Sequence, residues 1–393
     1  MLSRNEMRQA ERALANSEQD TRDEIGFLLL HQGFADRFFP GTSVLQTRVR
    51  YALFIPWLYQ RAARAPRRGR DLEATIRDLL IELAKRLKVL GGEPRDVIGG
   101  DKIGQLTSQP PDHVYWSAMR AWGILLGSVE SRREALRRLR LVGVDSPKDD
   151  DGGRLEEDAT EAFAGLPKQP VGWDDCETPL KFKMPAAERE FLRGKLRKLT
   201  RADGARALLA RLVETRTAVV DTSAVLPLEI DAHADSEDKT ALGVARDAAA
   251  LSAIGRAVYG ALVEELIAND GGPDDRTFRM LLREHFAQYA EAAARCNLDT
   301  VGKLFPDFPD YVTEVLRKTQ IYIRTQRPDD SFSLLGCYRE SECMRKGQRA
   351  RLDNTVRSAI RRSSWQPDRH NTTALHYRWH IVRDMLDDLS DQS

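Results

Sequence analysis

The stretch from residue 46 to 70 carries Arg48, Arg50, Arg61, Arg64, Arg67, Arg68 and Arg70 with no acid among them. A guanidinium offers a planar fork of donors that fits two kinds of anion: a carboxylate inside a helical domain, or a phosphate of a nucleotide or nucleic acid. Arg48 and Arg50 stand at the entrance of the apolar run YALFIPWLY within FFPGTSVLQTRVRYALFIPWLYQRAAR, residues 38 to 64. On the first reading they are half-buried and pair with Asp23, Glu24 or Asp36 upstream; on the second they grip phosphate. A second basic block, YRESECMRKGQRARLDNTVRSAIRRSSWQ, sets Arg339, Arg345, Lys346, Arg349, Arg351, Arg357, Arg361 and Arg362 against Glu340, Glu342 and Asp353. Tyr338 and Trp365 lie within it, so its composition suits backbone phosphates combined with base stacking. The candidate nucleic-acid contacts are therefore Arg48, Arg50, Arg345, Lys346, Arg349, Arg351, Arg361 and Arg362, and Arg345, Lys346, Arg349 and Arg351 are expected to be exposed.

Other chemistry is thinly supplied. His376, His380 and Asp384 recur at i, i+4 and i+8, which on one helix would turn three metal ligands to one side and suit a metal-dependent nuclease or hydrolase. Such a site would need a fourth partner and a supporting shell. Cys176, Cys296, Cys337 and Cys343 form no CxxC pair, so they are expected as free thiols. The run Asp149, Asp150, Asp151 lacks the alternating ligands and closing glutamate of a calcium loop. GxxxxGK[ST], a GxGxxG after a strand and GxSxG are all absent, so no catalytic residue, metal or cofactor is assigned.

These side chains need helices to carry them. In DLEATIRDLLIELAKRLKVLGG, Leu72, Ile76, Leu79, Leu80, Leu83 and Leu87 fall on one stripe and Gly91 supplies a stop. Similar periodicity runs through VYWSAMRAWGILLG, REALRRLRLVG, AEREFLRGKLRKL, ALLARLVET, the Ala-rich pattern from about Ala241, RTFRMLLREHFAQYAEAAARC and YVTEVLRKTQIYIRTQ. Only TAVVD looks β-rich. A helix is expected to begin at a Thr42/Ser43 cap, to place Arg48 beside its apolar face and Arg50 more nearly opposite, and to kink at Pro56.

Between these patterns lies VDSPKDDDGGRLEEDATEAFAGLPKQPVGWDDCETP, rich in Asp, Glu, Gly and Pro. It predicts a boundary that can still pack through Phe163, Leu166 and Trp173. The expected organisation is mainly α and multi-helical, with little β: an N-terminal helical domain over 1–145, an acidic, Pro-rich linker over 146–180 and a C-terminal helical domain over 181–393. The 393 residues include 61 Lys and Arg against 60 Asp and Glu, a formal charge of +1, so affinity for nucleic acid must come from local clusters. YALFIPWLY is far shorter than the ~20 apolar residues of a spanning helix. The first twenty residues show no secretory pattern, so no membrane association and a cytoplasmic location are expected.

The phrases TRDEIG (21–26), FADRFFPGTSVLQTRVRYALFIPWLY (34–59), VYWSAMRAWGI (114–124), FAGLPKQPVGW (163–173), AEREFLRGKL (187–196), IYIRTQ (321–326) and HYRWHIVRDMLDDL (376–389) occur in this order. Together they resemble an uncharacterised bacterial family of about this length, of the domain-of-unknown-function class. The resemblance implies loci shared with helicase-like and nuclease-like genes, as phage-defence proteins have. Taken with the two arginine-rich blocks and the absence of catalytic motifs, the resemblance leads to the expectation of a non-enzymatic, DNA- or RNA-associated component of an antiviral defence complex, docking on a helicase-like or nuclease-like protein. The alternatives are the metal-dependent hydrolase above and a pure protein–protein adaptor.

Overall fold

The computed structural model describes residues 23–64, 71–93, 95–142, 162–215, 226–325, 327–365 and 372–390. Helices run as α1 Leu28–Phe38, α2 Tyr51–Arg64, α3 Leu72–Lys85, α4 Pro111–Val114, α5 Trp116–Ala121 and α6 Arg132–Val142. They continue as α7 Ala186–Leu196, α8 Leu208–Thr215, α9 Ser236–Asn269, α10 Thr277–Arg295 and α11 Leu298–Leu304. The last are α12 Asp310–Arg324, α13 Leu335–Lys346, α14 Val356–Ser363 and α15 Trp379–Leu389. The protein is mainly α, and among the described residues β pairing is limited to the isolated bridges Leu125 with Phe163 and Thr200 with Arg206. TAVVD lies outside the described residues. Among those described, no helix is long and apolar enough to cross a membrane.

The chain divides into two compact units that alternate along the sequence. One comprises Met1–Phe34 with Ser223–Tyr377, the other Ala35–Thr222 with Arg378–Ser393. The sequence reading expects consecutive domains instead. The expected linker falls within the span of the second unit; its residues to 161 lie outside the described ones, while Phe163 and Trp173 are buried.

In the first unit the 34-residue α9 is buried along most of its length, and its core face is built from alanines that let neighbouring helices approach. Asp235 caps it, its side chain accepting from the Asp238 N–H at 2.8 Å, which places the start ahead of Ala241. Two glycines in α9 make room for rings: a Cβ at Gly255 would lie 2.6 Å from Phe27 Cζ, and one at Gly260 would lie 2.0 Å from Phe278 Cδ1. Gly26, in the DEIG phrase, has φ +104°, and a Cβ there would meet Val312 Cγ2 at 2.7 Å. Only glycine combines that backbone with that approach.

The second unit is organised around α2, whose residues from Tyr51 to Tyr59 are all buried. A helix apolar all round is a core helix. Trp173 stacks on Phe54 at 5.9 Å and meets Trp57 edge-on at 5.5 Å. Arg86 holds the segment that carries Trp173, donating to the carbonyls of Trp173 at 2.7 Å, Gly172 at 2.9 Å and Thr178 at 2.8 Å. The acidic, Pro-marked phrase is thus tied into a core by one buried guanidinium, and burial lowers the pKa of that group despite Glu82 beside it.

The helix expected from Thr42/Ser43 begins only at Tyr51. Side chains have taken the backbone groups its first turns would use: Gln46 Oε1 accepts from Ser43 N at 3.2 Å, Gln46 Nε2 donates to Gly41 O at 3.0 Å, and the Tyr115 hydroxyl accepts from Thr47 N at 3.0 Å. Arg48 and Arg50 therefore leave from the turn ahead of α2, and α2 continues through Pro56.

Candidate nucleic-acid interface

In the second unit Arg50 is almost fully buried. Its Nε and Nη2 each lie 2.7 Å from a carboxylate oxygen of Glu188, and its Nη1 donates to the carbonyls of Lys181 at 2.5 Å and Lys183 at 2.8 Å. The guanidinium also lies 5.0 Å from the centre of the Phe54 ring. Every face of the fork is occupied. Arg48 is half-exposed and donates from Nε to both oxygens of Asp388, at 2.8 and 3.0 Å, while the Val49 N–H donates to the same carboxylate at 3.0 Å. Burial pushes the Asp388 carboxyl above its ordinary range, and the Arg48 hydrogen bond and charge pull it back. Pairing with carboxylates is as the sequence suggests, but the partners are Glu188 and Asp388, not Asp23, Glu24 or Asp36. Arg61 pairs with Glu82 at 2.6 Å; Arg67, Arg68 and Arg70 lie outside the described residues.

Asp23 and Glu24 belong to the second basic block. In the first unit Arg345 reaches Asp23 at 3.0 Å, and Lys346 and Arg351 reach Glu24 at 3.6 and 3.3 Å. Glu342, fully buried on α13, accepts from the Tyr259 hydroxyl at 2.7 Å and from the N–H groups of Arg351 at 2.9 Å and Leu352 at 2.7 Å. Burial raises its pKa. Arg362, buried on the inner side of α14, pairs with Asp270 at 2.7 Å and donates to the carbonyls of Arg351 and Asp353 at 2.5 and 2.9 Å. Lys346 and Arg362 are thus buried and Arg345 and Arg351 half-buried, which corrects the expectation that this block lies open to solvent. Its charge is matched by acids distant in sequence, where adjacent residues show little of it.

The exposed remainder is small. Arg349, Arg357 and Arg361 face solvent. Arg357 and Arg361 stand one turn apart on α14, and Arg357 donates to the Gln348 side chain at 2.5 Å. Neither has a carboxylate within ion-pair distance among the described residues. On the same helix Val356 is 79% and Ile360 63% exposed. Tyr338 is no stacking platform: it is fully buried, its hydroxyl 2.8 Å from that of Thr319. Trp365 is half-buried, its ring 5.3 Å from Phe278.

The metal reading loses its helical premise. Tyr377 and Arg378 adopt φ of +47° and +62°, so α15 starts at Trp379 and His376 precedes it. Spacing of i, i+4 and i+8 then brings no common face. Among the described residues no three His, Cys, Asp or Glu side chains are grouped to hold a metal. The four cysteines are free thiols; burial raises Cys296 to about 12 and also lifts Cys337 and Cys343, which holds them protonated.

A cleft of about 390 Å³ in the first unit was not signalled by any motif. It lies where α9 ends, at the turn Asp270-Gly271-Gly272-Pro273, and is closed on the other side by Ala359, Arg362, Ser363 and Trp365. The phrase NDGGPDD shows a helix stop in sequence and nothing more.

The model of a family of unknown function, DUF6361, matches residues 2–263, and the chain belongs to that family. The first arginine block falls inside the matched span; the second, together with IYIRTQ and HYRWHIVRDMLDDL, falls beyond it. No curated protein and no solved structure matches the chain.

Proposed function

We propose that this family member is a non-catalytic binding component of a bacterial anti-phage assembly, one that touches nucleic acid through the outer side of α14 and the turn before it. The observation that supports this is the exposed pair Arg357 and Arg361, one helical turn apart and without a carboxylate partner among the described residues, with exposed Arg349 nearby in sequence. Arg48, Arg50, Arg345, Lys346, Arg351 and Arg362 are engaged by acids, whereas these two keep donors for phosphate. Arg48 and Arg50 serve chiefly to hold the second unit together within itself, and Arg345, Lys346, Arg351 and Arg362 do the same within the first. The partner that completes the assembly is a helicase-like or nuclease-like protein, as the family resemblance implies.

The adaptor reading has one observation of its own: Val356 and Ile360 expose apolar surface on that same short helix. One experiment separates the two. Fluorescence anisotropy with single- and double-stranded DNA and RNA at low salt is expected to show binding that weakens steeply as salt rises. Arg349→Ala, Arg357→Ala and Arg361→Ala together should weaken it with the melting temperature unchanged. Absence of binding by the wild type, alone and with its co-purified partner, overturns the nucleic-acid reading. Loss of that partner on Val356→Ser with Ile360→Ser would then favour the adaptor.

A further inference from the structure

The cleft at the end of α9 is a site that none of the foregoing uses. Its volume of about 390 Å³ falls in the range of small-ligand sites, roughly 300–1,000 Å³. Ile267, Pro273, Ala359 and the half-buried Trp365 give it apolar walls, and Glu264, Asp270 and Asp275 give it acid. Arg362 takes one oxygen of Asp270 with both Nε and Nη2, at 2.7 Å each. The other oxygen, Oδ1, meets no hydrogen-bond donor among the described residues. Asp275 accepts from the Thr277 hydroxyl at 2.6 Å and N–H at 3.1 Å, and these bonds hold its carboxyl below the usual range and therefore ionised. Glu264 is buried against the N–H groups of Phe278 at 2.7 Å and Arg279 at 3.1 Å, with the Arg279 guanidinium 3.9 Å away. Arg362 and Arg279 offset two of the three acids, so the lining keeps an excess of negative charge beside an indole.

We infer that this cleft binds an organic cation: an ammonium or guanidinium on an aliphatic stem, with the stem along Ile267, Pro273 and Ala359 and the charge between Asp270 Oδ1 and the face of Trp365. A carboxylate satisfies the donor hydrogens and the indole quadrupole attracts the charge. An anion would meet Asp270 and Asp275 first, and Arg362 has no fork left for it. The site lies on the inner side of α14, while Arg357 and Arg361 lie on the exposed side, so it stands or falls independently of nucleic-acid binding.

Calorimetric titration of the full, nuclease-treated chain with spermidine and with agmatine tests this, against 1,6-hexanediol as a neutral stem and inorganic phosphate as an anion. Saturable binding of at least one amine, and of neither control, is expected. Ala359→Phe fills the cleft without touching an acid and should abolish the binding; Trp365→Ala should weaken it about threefold to tenfold, the scale of a cation–π contact at a partly exposed ring. Circular dichroism establishes that each variant is folded, and Arg357→Ala with Arg361→Ala serves as a variant that should bind amine as the wild type does. The inference is overturned by a wild type that takes neither amine at millimolar concentration, by equal binding of the diol or phosphate, or by a folded Ala359→Phe that binds unchanged.

Discussion

Replacing Arg50 by alanine is the sharpest test of the claim that the first arginine block is internal scaffolding. The side chains of Arg50 and Glu188 are 6% and 4% exposed, so the substitution strands a carboxylate that water cannot reach. It also removes the donor from the carbonyls of Lys181 and Lys183. Breaking a buried pair from one side costs about 3–5 kcal/mol, a large share of the roughly 5–15 kcal/mol that holds a typical domain. At about 2–4 °C per kcal/mol for a unit of this size, the melting temperature should fall by roughly 6–20 °C. Urea denaturation followed by tryptophan fluorescence reads the change directly, because Trp57 and Trp173 sit in the same core as Arg50. Arg50→Met with Glu188→Leu removes the stranded charge as well and should recover part of the loss. The two carbonyls stay unpaired, so recovery should stop short by about 1–3 kcal/mol for each acceptor left bare. An Arg50→Ala protein that melts within about 2 °C of wild type would refute the reasoning, since a surface arginine is worth no more than about 1 kcal/mol.

Gly26→Ala should destabilise the first unit by at least about 1–2 kcal/mol in chemical denaturation, because alanine must adopt φ +104° while its Cβ meets Val312. Arg345→Ala with Lys346→Ala and Arg351→Ala should lower the melting temperature as well as any binding, whereas Arg357→Ala with Arg361→Ala should leave the melting temperature alone and reduce the salt slope of nucleic-acid binding by about 1–2. Acid titration of stability offers a signed test at Glu342, whose folded pKa is raised by burial above the ordinary 4.5. The folded state then holds the proton more tightly than the unfolded one, so this group's contribution is most favourable below pH 4.5 and is lost as pH rises toward the folded value. Stability measured from pH 4 to 7 should decline with pH more steeply in wild type than in Glu342→Gln.

What the sequence makes legible follows from the range of each interaction. The stripe Leu72, Ile76, Leu79, Leu80, Leu83 and Leu87 is a local pattern, and all but Leu72, half-buried at the helix start, are buried as periodicity requires. Trp173 and Phe163 in the acidic phrase are likewise visible as large apolar residues in a polar setting. Ion-pair partners are another matter. That Arg48 needs a carboxylate can be read from its surroundings, but Asp388 is chosen by tertiary structure 340 residues away, and Glu188 is 138 residues from Arg50. The start of α2 is not legible, because Thr42 and Ser43 fit a cap by type while Gln46 and Tyr115 take the backbone groups that a cap would organise. The C-terminal His/Asp triple fails for a related reason: two residues with positive φ interrupt the very periodicity that defined it.

The alternation of the two units has a consequence for the order in which a ribosome delivers them. Each unit joins an early segment to a late one: Asp23 and Glu24 wait for Arg345, Lys346 and Arg351, and Arg48 waits for Asp388. Domains ordinarily fold in turn as they emerge, but here each early residue meets its late partner only after a long further stretch has been translated. Within the second unit α2 can pack on Trp173, and Arg50 can pair with Glu188, as soon as those residues have emerged, but Asp23, Glu24 and Arg48 must wait through 322 to 340 further residues for their partners. Such a chain is slow to close, since these contacts span long loops. Ending translation before α15 would leave Arg48 and the Val49 N–H without their shared carboxylate, so loss of that helix should reach a core synthesised long before it.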